Sequence, residues 1–183
     1  MPRLAEAVVA PHYRDAQGRD LRDDAPAEQV AESVYDIPLK RGVMYAPHPA
    51  FARDDAGRYR YHALSEADTR DKRSPFDFAH SGTREVEAED FVYAFKRHAT
   101  PRIQAPLFGI FAEHVVGLQA YGERIRAEDA RLRAGLDPAS LDKPFLDFRR
   151  WPLEGVQALD RHTLRIRIKG KYPQWKYLSL IHI

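Results

Sequence analysis

An α+β fold, with helices packed on antiparallel strands, is predicted by two stretches of this 183-residue sequence. The first is Gly155 to Trp175, GVQALDRHTLRIRIKGKYPQW, where apolar and charged residues alternate as in a half-buried strand. Leu164, Ile166 and Ile168 fall on one face, and Arg165, Arg167 and Lys169 on the other. Val156 to Leu159 is the partner strand and Asp160-Arg161-His162 the turn. The second stretch is Ala88 to Ala99, where Ala88, Phe91, Val92, Phe95 and Ala99 recur at three- and four-residue spacing and so share one helical face.

Taken in order, residues 11–33 are polar and rich in turns, with Asp15-Ala16-Gln17-Gly18 and Asp23-Asp24-Ala25-Pro26 as the signals. Val34 to Leu39 is a short strand, which Pro38 assigns to a sheet edge because proline donates no ladder hydrogen bond. Lys40-Arg41-Gly42 turns the chain into Val43-Met44-Tyr45. Residues 46–82 are a long loop with a short helix at Ser65 to Arg70. Its aromatics Phe51, Tyr59, Tyr61, Phe76 and Phe78 predict clamping rather than disorder. In the Ala88 helix, Glu89 and Asp90 occupy the first turn and Lys96, Arg97 and His98 the last, as the helix dipole favours; Pro101 ends it. Leu107, Phe111, Val115, Leu118, Ile125 and Leu132 form the stripe of a second helical region. Gly109, Gly117 and Gly122 interrupt it and predict two helices. Residues 135–154 are a loop with Pro138, Pro144 and Pro152, anchored by Phe145, Phe148 and Trp151.

Composition narrows the class. The chain is long enough for one domain with a real core. Its 44% hydrophobic and 31% charged content is that of a globular protein, and 29 basic residues nearly balance 27 acidic ones. The net charge of +2 is spread along the chain, so nucleic-acid binding does not follow from it. Without cysteine, disulfides, thiolate zinc sites and cysteine nucleophiles are excluded. The opening MPRLAEAVVAPHYRD has no apolar signal-peptide core, which leaves a cytosolic protein or a start upstream of Met1.

Four constellations bear on chemistry. Glu89 and Asp90 are adjacent and so do not face each other on a helix; they read as dipole complement. Glu113-His114 lacks the second histidine at four-residue spacing that a zinc helix needs. His48, between two prolines, reads as a cap or anchor of a rigid loop. Arg165, Arg167, Lys169 and Lys171 form a basic row without the same-face aromatics of a single-strand platform, and read as a solvated strand face. No phosphate loop, no Gly-x-Ser-x-Gly and no Ser/His/Asp set occurs. No catalytic residue, metal ligand or cofactor is therefore expected, and the chain reads as a non-enzyme.

Three stretches resemble family 5 extracellular solute-binding proteins, the peptide- and nickel-binding components of ATP-driven (ABC) importers. GTREVEAEDFVYAFKRHATPR (Gly82 to Arg102) is similar to their Thr-Ala-Glu-Asp-Val-Val-Tyr-Ser-Phe-Lys-Arg segment. SVYDIPLKRGVMYAPHPAF (Ser33 to Phe51) resembles their Tyr-x-hydrophobic-x-Leu-Arg-Lys-Gly-Val strand-turn-strand. LEGVQALDRHTLRIRIKGKYPQW (Leu153 to Trp175) resembles their Val-x-Ala-Leu-Asp-x-Tyr-Thr-Leu-x-Ile-x-Leu hairpin and the Pro-Tyr-Pro-x-Phe that follows. The opening PRLAE resembles their Leu-Ala-Glu segment. His162 stands where the family often has Tyr. Glu87 stands where Thr would cap the helix, a change that weakens a cap by ~1 kcal/mol. The stretches 52–82 and 119–152 are longer than in compact members.

The resemblance implies a small mixed helix and antiparallel-strand domain of a periplasmic-binding-protein type II clamshell, truncated, over residues 1–177. It implies capture of oligopeptides or dipeptides for transmembrane import, in the periplasm or another extracytoplasmic compartment, by a monomer that delivers to permease subunits. In the family, ligand closes the two lobes by population shift. Non-peptide solutes in the same family (a nickel chelate or a sugar) and a stand-alone, non-catalytic interaction domain are the alternatives. Ligand contacts in the family come mostly from the two lobes, so the ligand-binding residues are expected beyond residue 177. Leu178 to Ile183, LSLIHI, reads as the translation of a sequencing-adapter scar, which makes the chain the start of a larger protein.

Overall fold

The computed structural model describes residues 4–137 and 144–175; residues 1–3, Pro138 and the 178–183 stretch lie outside them. The described residues form two compact units, one of residues up to Lys40 and from Glu87 onward, the other of Arg41–Val86.

Five antiparallel strands build the first unit: β1 (His12–Arg14), β2 (Asp20–Leu21), β3 (Glu32–Pro38), β4 (Val156–Asp160) and β5 (Thr163–Lys169), in the order β2-β1-β3-β5-β4. The architecture is thus α+β. The alternation read at Gly155 to Lys169 is the β4–β5 hairpin, with Leu164, Ile166 and Ile168 fully buried. At its turn, Asp160 Oδ1 accepts from the His162 N–H at 2.7 Å. The 11–33 stretch holds more than turns. Its Asp15–Gly18 turn joins β1 to β2, with Gly18 at φ 76° and Asp15 Oδ1 accepting from the N–H groups of Gln17 and Arg19.

Strand β3 is central, not an edge, paired to β1 on one side and β5 on the other. Pro38 is tolerated because it is the strand's last residue. Its carbonyl accepts from Glu6, so its missing N–H lies on the side that β1, paired no further than Val34, leaves unladdered. Ser33, Tyr35 and Ile37 oppose Ile168, Ile166 and Leu164 on the core face. Burial pushes the Tyr35 phenol up to about 12. Ser33 is satisfied there by donating to the Gly170 carbonyl at 2.7 Å.

The helices are α1 (Glu66–Thr69), which belongs to the second unit, and α2 (Ala88–His98), α3 (Phe108–His114) and α4 (Leu118–Arg133) of the first. The predicted break falls at Val115–Gly117, with Gly117 at φ 73°. There the backbone touches the sheet: Val115 bridges Ile168, and the Val116 N–H donates to the Arg167 carbonyl. Gly109 and Gly122 stay helical; Gly122 makes room for the Phe108 ring, which a Cβ would meet at 2.6 Å. Helix α2 packs against the hairpin, and Val92, Phe111, Leu118, Ile125 and Trp175 close the core. In the 144–154 loop the anchors are Leu146 and Leu153, 4% and 3% exposed; Phe145 is 74% exposed, while Phe148 and Trp151 pack partly buried against the core.

The second unit is held by short pairings and ring contacts. Met44 bridges Glu85 and His48 bridges Gly82; among its described residues this unit has no strand, so none forms at Val43-Met44-Tyr45. Tyr45 meets Phe51 with ring centroids 5.2 Å apart, Tyr61 meets Phe78 at 4.8 Å, and Arg53 covers Tyr59 at 4.1 Å. Phe76, predicted as a clamp, is 90% exposed on a capped turn (Pro75–Asp77).

Candidate functional site

The predicted constellations resolve into structural roles. Asp90 accepts from the Glu87 N–H at 2.9 Å and so closes the N-terminus of α2, while Glu89 is exposed. The Glu87 carboxylate, in place of a threonine cap, pairs with Arg161 at 3.1 Å, and the Ala88 N–H donates to the Arg161 carbonyl. These contacts hold the start of α2 on the hairpin turn. His114 stacks on Tyr172 with ring centroids 4.3 Å apart. His48 caps the Pro49–Phe51 turn, its Nδ1 accepting from Ala50 at 3.1 Å. Among the described residues no three His, Asp or Glu side chains gather closely enough to hold a metal ion.

The basic row is not simply solvated. Arg165 makes a two-bond pair with Asp36, both at 2.7 Å, and Arg167 a two-bond pair with Glu32, at 2.9 and 2.7 Å. Lys171 donates to the Ala25 carbonyl at 3.0 Å and lies 4.5 Å from the centre of the Tyr13 ring; Lys169 alone of the four is exposed. Hydrogen bonds from Arg165 hold the Asp36 carboxyl below its usual range. Val34, between Glu32 and Asp36 on this face and opposite Arg167, is fully buried. The arginine stems thus roof a hydrophobic residue outside the main core.

A cleft of about 300 Å³ opens beside the end of α2. Tyr93 and Arg97 reach it from α2, and Thr100 and Arg102 from the turn after it. The 144–154 loop supplies the apolar wall, Phe145, Leu146 and Phe148. Helix α4 holds that loop and turn in place. Arg102 Nε donates to Asp129 Oδ1 at 2.5 Å, and its Nη1 to the Pro144 carbonyl at 2.7 Å. The Tyr121 hydroxyl donates to the Phe148 carbonyl at 2.6 Å, and Arg150 pairs with Glu128 at 2.6 Å. Burial raises the Tyr121 phenol. This arrangement can bind and orient a small anion. None of its side chains is paired as nucleophile and base.

The sequence did not reveal the burial of Asp129 and of Lys96, which reads there as a dipole complement; both are 6% exposed. Each interrupts an apolar stripe at helical spacing, Asp129 four residues after Ile125 and Lys96 four after Val92, and that interruption was the available signal. Lys96 lies with its Nζ 5.9 Å from the centre of the Tyr121 ring.

No family model matches the chain, and no curated protein matches it.

Proposed function

We propose that this chain is part of the solute-binding component of an ATP-driven importer, capturing peptides for transmembrane import. One observation carries the reading. The stretches that resemble family 5 proteins are far apart in sequence, yet β3, α2 and the β4–β5 hairpin meet around a single core. β3 pairs with β5 through seven residues, from Glu32 to Pro38, and α2 is seated on the hairpin through Arg161. Motifs that belong to one ancestral domain should pack together in this way. In this reading the protein works as an extracytoplasmic monomer, binds without covalent chemistry or cofactor, and hands its solute to permease subunits. The clamshell is completed by residues beyond 177, which carry most ligand contacts.

Uptake tests the reading. Cells lacking the gene should lose import of labelled di- to pentapeptides, and a plasmid copy should restore it. Loss confined to a nickel chelate or a sugar would keep the importer and change its solute. Unchanged uptake of all three classes would reject the proposal in favour of an interaction domain.

A further inference from the structure

We propose that the cleft beside Arg102 is a binding site for small carboxylates that carry an apolar body. The inference rests on one unit alone and stands whether or not the chain serves an importer.

Charge is the first argument. Arg102 is balanced by Asp129, but Arg97 has no hydrogen bond or ion pair among the described residues, so the cleft carries an unbalanced cation. The second is an orphan donor. Asp129 and the Pro144 carbonyl engage Nε and Nη1 of Arg102 and fix its plane, while Nη2 is buried without a hydrogen-bond partner among the described residues. A buried charged N–H without an acceptor is costly, and a shift of the guanidinium toward the cleft brings it within reach of a carboxylate oxygen. Thr100 adds a further donor: its Oγ1 accepts from the Arg102 N–H at 3.2 Å, which leaves its hydroxyl proton free to point elsewhere.

The walls decide the rest of the ligand. Phe145 is 74% and Ile103 50% exposed, unusual for large apolar side chains that line a cleft, and Phe148 and Leu146 continue the surface inward. A bare inorganic anion would leave these rings wet. An acid with an aromatic or branched body covers them and places its charge at the arginines. The volume of about 300 Å³ admits a body the size of one side chain.

The test is an NMR titration of the full chain with phenylacetate and phenylacetamide, and with Ala-Phe as free acid and as C-terminal amide. Saturable shifts of the Thr100, Arg102 and Phe148 amides are expected with the acids, and binding about tenfold weaker with the amides. Preference for Ala-Phe over phenylacetate would identify a peptide terminus as the source of the carboxylate, and the reverse a free acid; either supports the site. Because Arg102→Gln breaks the Asp129 pair and threatens the fold, Arg97→Gln and Phe145→Ala, both at exposed positions, carry the mutational arm. Each should weaken the acids roughly threefold to tenfold. No saturable shift with either acid, equal binding of acids and amides, or acid binding untouched by both variants would overturn the proposal.

Discussion

Asp36 and Arg165 oppose each other across β3 and β5 with two 2.7 Å bonds, and the pair is a pH-sensitive part of the fold. The folded carboxyl is held below its usual range by Arg165, so its contribution is present above the unfolded carboxylate pKa and is lost as pH falls through the folded one. Both side chains are partly exposed, which limits the contribution to about 1 kcal/mol. Asp36→Asn should therefore be less stable than wild type at pH 7, with the difference shrinking below about pH 4. Urea midpoints at pH 7 and pH 3 measure this, and an equal difference at both values would contradict it. Gly155 and Gly122 differ in what an added Cβ would meet. A Cβ on Gly155 would strike the Val116 carbonyl, a backbone atom that the α3–α4 break pins to β5. Gly155→Ala should cost about 1–3 kcal/mol of unfolding free energy. At Gly122 the obstacle is the Phe108 ring, which can turn, and alanine gains about 1 kcal/mol of helix propensity. Gly122→Ala should be closer to neutral by chemical denaturation.

Periodicity made two elements legible. Helix α2 and the hairpin each present one buried row against one core, so their patterns are clean. Ile166→Ala, in the middle of that row, should cost about 2–5 kcal/mol, measurable as a shift in thermal or urea midpoint; less than about 1 kcal/mol would show that the row is not the core. The elements that escaped are those whose partners are remote. β1 and β2 hold three and two residues, too few for a period to show. Pro38 pointed to an edge because its effect depends on which side lacks a neighbour, a property of the sheet and not of the residue. Phe145 and Phe76 read as anchors because aromatic type alone does not say which way a loop side chain turns. The cleft was illegible for the same reason: Arg102 and Asp129 are brought together by tertiary packing across 27 residues. Only the charged interruptions of the stripes hinted at burial.

At the scale of the molecule, the two units differ in how they are held. In Arg41–Val86 the buried apolar residues are Pro49, Ala52 and Val86, and the backbone pairs through isolated bridges. The other unit has a five-stranded sheet and a continuous core. Hydrogen exchange should separate them, with bonded amides such as those of Tyr45 and Val86 exchanging roughly a hundredfold faster than those of β3 and β5; equal protection would contradict the difference. If β3, α2 and the β4–β5 hairpin share one core because they descend from one solute-binding domain, the protein in its complete form holds a peptide. Isothermal calorimetry of the product of the complete reading frame against a mixed di- to pentapeptide library tests this most directly. Saturable binding, with the isolated 1–177 stretch binding weakly or not at all, is the predicted result. Absence of any peptide binding by the complete product, or micromolar binding by residues 1–177 alone, would contradict it.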